Sequence, residues 1–593
     1  MVGVDHHLLE LGAEGRIDRV NDVTVAAVGI LPRGHNDEIS FSGVDYLDVV
    51  NRKTVVKRDR NNRLHRSFLE EFSDFDVCNL HFDSLLVSLT RICKCSHKIN
   101  LQHYYIRGVI EHQYPICNIL VNKFAIYVNY GVFMLSFDNY FANFRLLSHI
   151  FERKGRVYML GISGAGMAPL AAYLASRGVS VSGVDPLGSC PILDQSAIPV
   201  ATTHSAYIPL RCDLLVHSLA VADSASELTE ARRRGIPVLT RAELLGAIMA
   251  GFPTSVAVSG THGKSTTTAM IDRILTDAGL SPTVFSGATL EDGSPLRIGQ
   301  GSVAVCEACE YRAAFLALRP TYAIITNIDH DHTDFYPTLR SVTEAFTAFS
   351  RGAEYTILNP DNDATRTVAA ASGRVITYGA TGSEYPILRH VPRLNATDMT
   401  VLVDGEPCEF HLGTPGRGNM LDALAAIALT HTMGVPVSQI ATSLAEFRGI
   451  SRRLEPIGRL CGIPILYDYA HHPTEIENTL DTLRPLYGRI CVIFKPHTFS
   501  RTLSFMSDFA RVLSAARPAI ILDVYAAREP HIDGVSDALA EKIGESALRS
   551  TDEDAISLAL AASPDVTVLM GAGNLDTALA ALRANPDFLP VDE

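Results

Sequence analysis

The stretch Val256-Ala257-Val258-Ser259-Gly260-Thr261-His262-Gly263-Lys264-Ser265-Thr266-Thr267-Thr268 decides how the chain is read. Its apolar alternation up to Ser259 predicts a buried strand. Met270, Ile271, Ile274 and Leu275 recur at helical spacing until Gly279, a helix stop. The turn between them is a phosphate loop. Gly260 and Gly263 let backbone N–H groups close on phosphate oxygens at a helix N-terminus, Lys264 adds a point charge for the terminal phosphates, and the Ser265 hydroxyl suits Mg²⁺. Valine at 258 leaves only the short G-x-x-G-K-S form of the triphosphate motif, with Thr261, His262 and Thr266 completing the loop.

A chain of 593 residues exceeds one core, and ~150 residues per domain implies three or four domains. A net charge of −14 argues against binding nucleic acid by phosphate neutralisation and favours small-molecule partners. Eleven cysteines without a paired framework, together with no export signal, point to reduced thiols and a cytoplasmic protein. Cys306-Glu307-Ala308-Cys309 has C-x-x-C spacing but lacks a second pair. The most apolar segment, 119–137, carries Asn122, Lys123 and Asn129, which argues against stable membrane insertion.

Residues 1–150 differ in composition from the rest: they hold only five alanines and are crowded with Asn, His, Tyr and Phe. Cys93, Cys95, His97 and His103 match no common zinc pattern, and no motif with a mechanism occurs there. An accessory domain, an extension without a fold of its own and translation from an upstream start all stay open.

Downstream, short apolar strands alternate with helices. Val157–Leu160 runs into Gly161-Ile162-Ser163-Gly164-Ala165-Gly166-Met167 and a helix to Arg177, a βαβ turn suited to a diphosphate. Serine at 163 takes the place of the second glycine of a dinucleotide fingerprint and disfavours nicotinamide binding. The strand at Ser302–Cys306 ends beside Glu307, a carboxylate at a sheet edge next to the phosphate loop and hence a candidate Mg²⁺ ligand. The strand at Thr321–Thr326 runs into Asn327-Ile328-Asp329-His330-Asp331-His332-Thr333-Asp334, whose acids and histidines predict divalent-ion coordination. Three more strands, at 463–467, 489–494 and 519–524, lead into polar clusters along one sheet edge.

These motifs resemble those of the Mur ligases of peptidoglycan synthesis, most nearly the branch that adds L-alanine to UDP-N-acetylmuramate. The resemblance rests on G-I-x-G-x-G-M at 161–167, G-T-H-G-K-S at 260–265, E-A-C-E at 307–310, T-N-I-D-x-D-H at 326–332, F-x-G-x-x-R-R at 447–453, D-Y-A-H-H-P-T-E at 468–475 and P-H-x-x-S-R-T at 496–502. It implies an α/β fold of three domains after an unassigned extension (1–150). These are a Rossmann-like UDP-binding domain (151–250), a phosphate-loop ATPase domain (251–450) and a Rossmann-like C-terminal domain (451–593). It also implies an amide ligase that uses ATP and Mg²⁺ to join L-alanine to the muramoyl carboxylate through an acyl phosphate, with a murein tripeptide ligase or a weakened UDP-sugar sensor as alternatives.

By position, the resemblance gives Lys264 the transferring phosphoryl group, Ser265 and Glu307 one Mg²⁺, His332 a second metal, and Arg453 the phosphates. Asn419 and Asp422 would face adenine, Asp468 the ribose, and Tyr469, His471 and Arg501 the incoming alanine. Gly161, Gly164, Gly166, Met167, His204 and Ser218 would touch the UDP-sugar. The family's G-x-H-N-x-x-N-A is here Gly416-Arg417-Gly418-Asn419-Met420-Leu421-Asp422-Ala423, and an ionised aspartate accepts but does not donate. Thr498 stands where a second arginine is common, Tyr467 replaces an acid, and Arg312 occupies another acidic position.

Overall fold

The computed structural model describes residues 137–591 apart from 394 and 528. The cysteines and histidines at 93–103 and the apolar run 119–136 lie outside the described residues.

Helix α1 (Phe137–Glu152) falls within the stretch read as an unassigned extension, yet Leu147 and Ile150 are buried in the first core. The first sheet follows: β1 (Arg156–Leu160), β2 (Ser180–Val184), β3 (Val200–Ala201), β4 (Leu214–His217) and β5 (Val238–Thr240). Its order, β3-β2-β1-β4-β5, is all parallel and reverses direction between β1 and β4, which opens a ligand crevice at their C-terminal ends. Helix α2 (Ala168–Ser176) leaves the glycine turn after β1, and α3 (Arg241–Met249) leaves β5 through a capping box between Thr240 and Glu243.

The second sheet has ten strands: β6 (Thr254–Ser259), β7 (Thr283–Phe285), β8 (Leu296–Arg297), β9 (Val303–Glu307), β10 (Tyr322–Ile325), β11 (Tyr355–Leu358), β12 (Arg374–Gly379), β13 (Tyr385–Pro392), β14 (Thr397–Val403) and β15 (Glu406–Leu412). β6 sits centrally between β10 and β9, buried on both faces, and so reads as a continuous apolar run. Helix α4 (Lys264–Asp277) follows the phosphate loop, and α5 (Arg417–Thr432) packs beside it. One apolar core runs from Leu147 through Tyr173 to Phe346, with Tyr173 and Phe285 edge to face at 5.3 Å, so the first two sheets share packing.

The third sheet, ordered β20-β19-β18-β21-β17-β16-β22, comprises β16 (Glu455–Leu460), β17 (Ile463–Asp468), β18 (Ile490–Phe494), β19 (Ala519–Ile521), β20 (Ala547–Arg549), β21 (Val566–Met570) and β22 (Phe588–Pro590). Helix α6 (Pro473–Leu483) leaves β17 with Pro473 in its first turn and a capping box from His472 to Glu475. The short α7 (Phe499–Ser504) follows β18, capped by Thr498.

Candidate active site

Two glycines shape the phosphate loop. A Cβ on Gly260 would stand 2.0 Å from Thr326 Oγ1, and one on Gly263 2.2 Å from Asp422 Oδ1; both residues have positive φ. Lys264 Nζ donates to Gly260 O (2.6 Å), Thr261 O (3.0 Å) and Glu310 Oε2 (3.0 Å). On the other side of Glu310, His332 Nε2 lies 3.3 Å from Oε1. Burial opposes the charge on Glu310, but Lys264 and His332 outweigh it and hold its carboxyl below the usual range. Lys264 is raised in turn against its own burial. Tyr336 donates to Glu310 O at 2.7 Å and fixes the loop.

Glu307 sits differently. Its Oε1 accepts from Ser286 Oγ (3.0 Å) and Gly287 N (2.6 Å), tying down the loop after β7. The carboxylate brought between Lys264 and His332 is therefore Glu310, three residues past the strand end. Left-handed Arg312 and Ala313 turn the chain there. Both carboxylates of E-x-x-E thus stand beside the phosphate loop, Glu307 at the end of β9 and Glu310 between Lys264 and His332. For an Mg²⁺ ion, the Ser265 hydroxyl and the Glu310 carboxylate are hard oxygen donors suited to that cation.

The acids after β10 do not gather as ligands. Asp329 and Asp331 face the third sheet's loops instead, because each finds a cation or hydroxyl there. Asp329 Oδ2 accepts from Thr474 Oγ1 (2.7 Å) and lies 3.4 Å from His262 Nε2, while Asp331 takes a forked pair from Arg501 at 3.0 and 3.1 Å. Both carboxyls lie well below their usual range despite burial. Asp334 accepts from Tyr311 OH. His262, Asp329 and His472 approach metal-ligand spacing, but the group already forms a closed ion-pair network through His262.

His262 Nδ1 is 3.2 Å from Glu475 Oε1, so one imidazolium clamps Asp329 to Glu475 across two sheets. Burial disfavours that charge, yet the two carboxylates outweigh it and raise the pKa to about 9. A folded-state pKa above the unfolded one gives stability that is complete below about 6.5 and lost as pH rises through 9. Thermal melts from pH 7 to 10 are expected to show the wild-type chain losing more stability than His262→Gln. Parallel curves would contradict the clamp.

Around it lies a cavity lined by Gly263, Thr266, Asn359, Asn419, Asp422, Arg453 and Asp468. Asn419 Nδ2 donates to Pro415 O, and Asp468 accepts from Leu454 N (2.9 Å) and Ala470 N (2.7 Å), so its oxygens already serve the backbone. Burial pushes Asp422 up to about 7, so this carboxyl is part neutral and able to donate at physiological pH, which an ionised aspartate is not. Its raised pKa costs stability that grows from about pH 4 to 7 as the unfolded chain, but not the folded one, sheds the proton. Asp422→Asn is expected to gain more stability at pH 8 than at pH 5, on the order of a few kcal/mol. An equal gain at both would refute the shift.

Arg453 lies over the Tyr469 ring and 3.7 Å from Glu475, and Arg452 stacks between Tyr467 and Tyr469. Next to them His471 Nδ1 donates to Tyr469 O at 3.0 Å, and its ring meets His497. Burial pushes His471 down to about 3 and, with Arg501, His497 down to about 4, so both rings are neutral. Arg501, assigned to the alanine carboxylate, holds Asp331 and His497 Nδ1 in this state. A buried guanidinium needs an anionic partner, and Asp331 provides it.

At the first sheet, Gly161, Gly164, Gly166, Met167 and Ser218 meet at the C-terminal ends of β1 and β4. Gly161 N bonds Val184 O, and Ser218 N bonds Leu160 O. Ser163 N donates to buried Asp185 as a glycine there would, and its hydroxyl, which a glycine lacks, donates to Gly188 O. His204, on the loop after β3, pairs with Glu227 at 2.9 Å.

Comparison with known proteins agrees with this layout. Models of the Mur ligase family match in order: the catalytic domain at 156–253, the middle domain at 258–430 and the glutamate ligase domain at 452–573. The UDP-N-acetylmuramate–L-alanine ligase of Agathobacter rectalis is 38% identical over 445 residues, 72% of this chain and 97% of that protein. That of Paenarthrobacter aurescens is 38% identical over 72% and 95%. The crystal structure of UDP-N-acetylmuramate–alanine ligase MurC from Thermotoga maritima superposes with a TM-score of 0.61 at 28% identity, covering 72% of this chain and 98% of that one. The murein peptide ligase of Psychrobacter arcticus shares the fold, with a TM-score of 0.54 at 22% identity over 73% and 99%. With these matches spanning nearly the whole length of its relatives, the chain belongs to the Mur ligase family.

Proposed function

We propose that the chain is an ATP-dependent ligase that joins L-alanine to the muramoyl carboxylate of UDP-N-acetylmuramate in peptidoglycan precursor synthesis. The observation that carries the chemistry is Lys264, a half-buried cation at the phosphate loop held between backbone carbonyls and Glu310. A carboxylate is a poor acyl donor because its leaving group would be an oxide. Attack of a muramoyl oxygen on the γ-phosphorus releases ADP and leaves an acyl phosphate. The alanine amine then attacks the carbonyl carbon, and phosphate departs with the former carboxylate oxygen.

Lys264 neutralises charge where two anions approach, and Arg453 reaches the phosphates from the third domain. Bound Mg²⁺, held by Ser265 and Glu310 with His332 serving a second metal, would screen the same charges. Thr261, His262, Gly263 and Thr266 shape the loop around the phosphates, Asn419 and Asp422 face the adenine, and Asp468 orders the ribose side. The alanine carboxylate takes Arg501 by displacing Asp331, and Tyr469 walls the seat. Neutral His471, whose Nδ1 donates to Tyr469 O, keeps Nε2 as an acceptor for the amine without repelling it, and neutral His497, whose Nδ1 accepts from Arg501, walls the same seat. Gly161, Gly164, Gly166, Met167, Ser218 and His204 face the UDP-sugar. Reduced thiols and the absence, among the described residues, of a helix able to span a membrane support cytoplasmic action on soluble substrates.

The test is incubation of the full chain with ATP, Mg²⁺ and UDP-N-acetylmuramate, with and without L-alanine. Alanine-dependent phosphate release and a sugar nucleotide heavier by one alanyl residue are expected. Product with a tripeptide but not with alanine would move the chain to the murein tripeptide ligases, and UDP-sugar binding without any product would make it a sensor.

A further inference from the structure

β1, β4 and β5 end in register: Leu160 pairs with His217, and His217 with Thr240. The next residues, Gly161, Ser218 and Arg241, therefore form a row along the C-terminal edge of three adjacent strands, at the crevice where the sheet order reverses. Gly161 and Ser218 are expected UDP-sugar contacts; Arg241 completes their row and has no role so far.

Its side chain is placed by three features. The capping box uses Glu243 on Thr240, 2.7 Å from Glu243 Oε2 to Thr240 N, so the neighbouring acid is committed to the backbone. The guanidinium lies flat against Gly166: a Cβ there would stand 3.0 Å from Arg241 Cδ and 3.2 Å from Nη1. The third glycine of the turn thus makes room for an arginine. Finally, Arg241 is only partly exposed, and no carboxylate or carbonyl among the described residues pairs with it. Its electrostatic neighbours are the thiols of buried Cys306 and half-buried Cys309.

We propose that Arg241 grips the diphosphate of the sugar nucleotide, a partner for an otherwise unpaired guanidinium lying across the glycine turn. The inference rests on the functional reading above and adds a binding residue to it. At the start of α2, Met167 N and Ala168 N already donate to Gly164 O and Pro169 has no N–H, so the donor offered there is the planar guanidinium, which meets phosphate oxygens two at a time.

The experiment measures direct binding, without ATP, of uridine, UDP, UDP-N-acetylglucosamine and UDP-N-acetylmuramate to the full-length wild type, Arg241→Gln and Arg241→Lys. Arg241→Gln is expected to weaken the three diphosphates alike, by about tenfold or more, and to leave uridine unchanged. Arg241→Lys should retain most of the lost affinity. Weakening that includes uridine would assign Arg241 to the fold. Loss confined to UDP-N-acetylmuramate would assign it to the muramoyl carboxylate, and unchanged binding would remove it from the site. Each of these overturns the proposal while wild-type turnover with alanine stands. A wild type that binds none of the uridine compounds overturns the functional reading as well.

Discussion

Lys264→Met is expected to abolish measurable ligation, lowering kcat by ~10³ or more, while UDP-N-acetylmuramate still binds. Removal of one preorganised donor from a site of developing charge costs ~10²–10³ in rate. Lys264 also donates to two carbonyls of its own loop, so the loop geometry depends on it. Its loss further strands Glu310, a buried carboxylate whose other close neighbour is His332, and breaking a buried pair destabilises by ~3–5 kcal/mol. Melting temperature and UDP-sugar affinity, measured alongside turnover, separate these effects. A folded variant that binds the sugar nucleotide and turns over at more than a tenth of the wild-type rate would remove Lys264 from the chemistry.

The second large effect divides two nearby acids. Glu310→Gln is expected to cut kcat by ~10² or more and to raise the Mg²⁺ concentration needed for half-maximal rate, since it removes the carboxylate between Lys264 and His332. Glu307→Gln should keep turnover within about tenfold of wild type and lower stability by ~1–3 kcal/mol, because Glu307 serves Ser286 and Gly287. The reverse pattern, with Glu307→Gln silent in stability and dead in turnover, would restore the strand-edge residue as the metal ligand.

That contrast shows where a linear reading stops. The phosphate loop was legible because a strand buried on both faces, two glycines and a lysine are local requirements, and the strands bearing a motif lie at or within a residue or two of their expected places, except that the one read as 519–524 ends at Ile521. That Glu310 is the carboxylate lying between Lys264 and His332 was not legible. The chain continues past β9 and turns through Arg312 and Ala313, and no local propensity signals two successive non-glycine residues at positive φ. The contacts of Asp329 and Asp331 were hidden for a related reason. Their spacing after a strand suits metal coordination, but their partners, Thr474, His262 and Arg501, come from distant parts of the chain. The hairpins β13 to β15 carry an alternating burial pattern visible in Thr397–Val403, yet they contain no chemical motif to draw attention to them. Helix α1 was hidden by composition: Asn and Phe made 137–150 look like the preceding segment, although Leu147 and Ile150 complete the first core.

Asp422 illustrates the opposite case, in which a departure visible in the sequence changes meaning once burial is known. An acid in place of an amide reads as a lost donor. Enclosed against Gly263 and raised to about 7, it recovers a proton to donate.

The central claim, that γ-phosphoryl transfer to the muramoyl carboxylate precedes amide formation, is tested most directly by oxygen transfer. UDP-N-acetylmuramate labelled with ¹⁸O in both carboxylate oxygens is turned over with ATP and L-alanine, and the phosphate released is analysed by mass. One labelled oxygen in each phosphate formed is the predicted result, because the bridging oxygen leaves with phosphorus when the amine attacks. Unlabelled phosphate alongside alanylated product would contradict the acyl phosphate and, with it, the role given to Lys264.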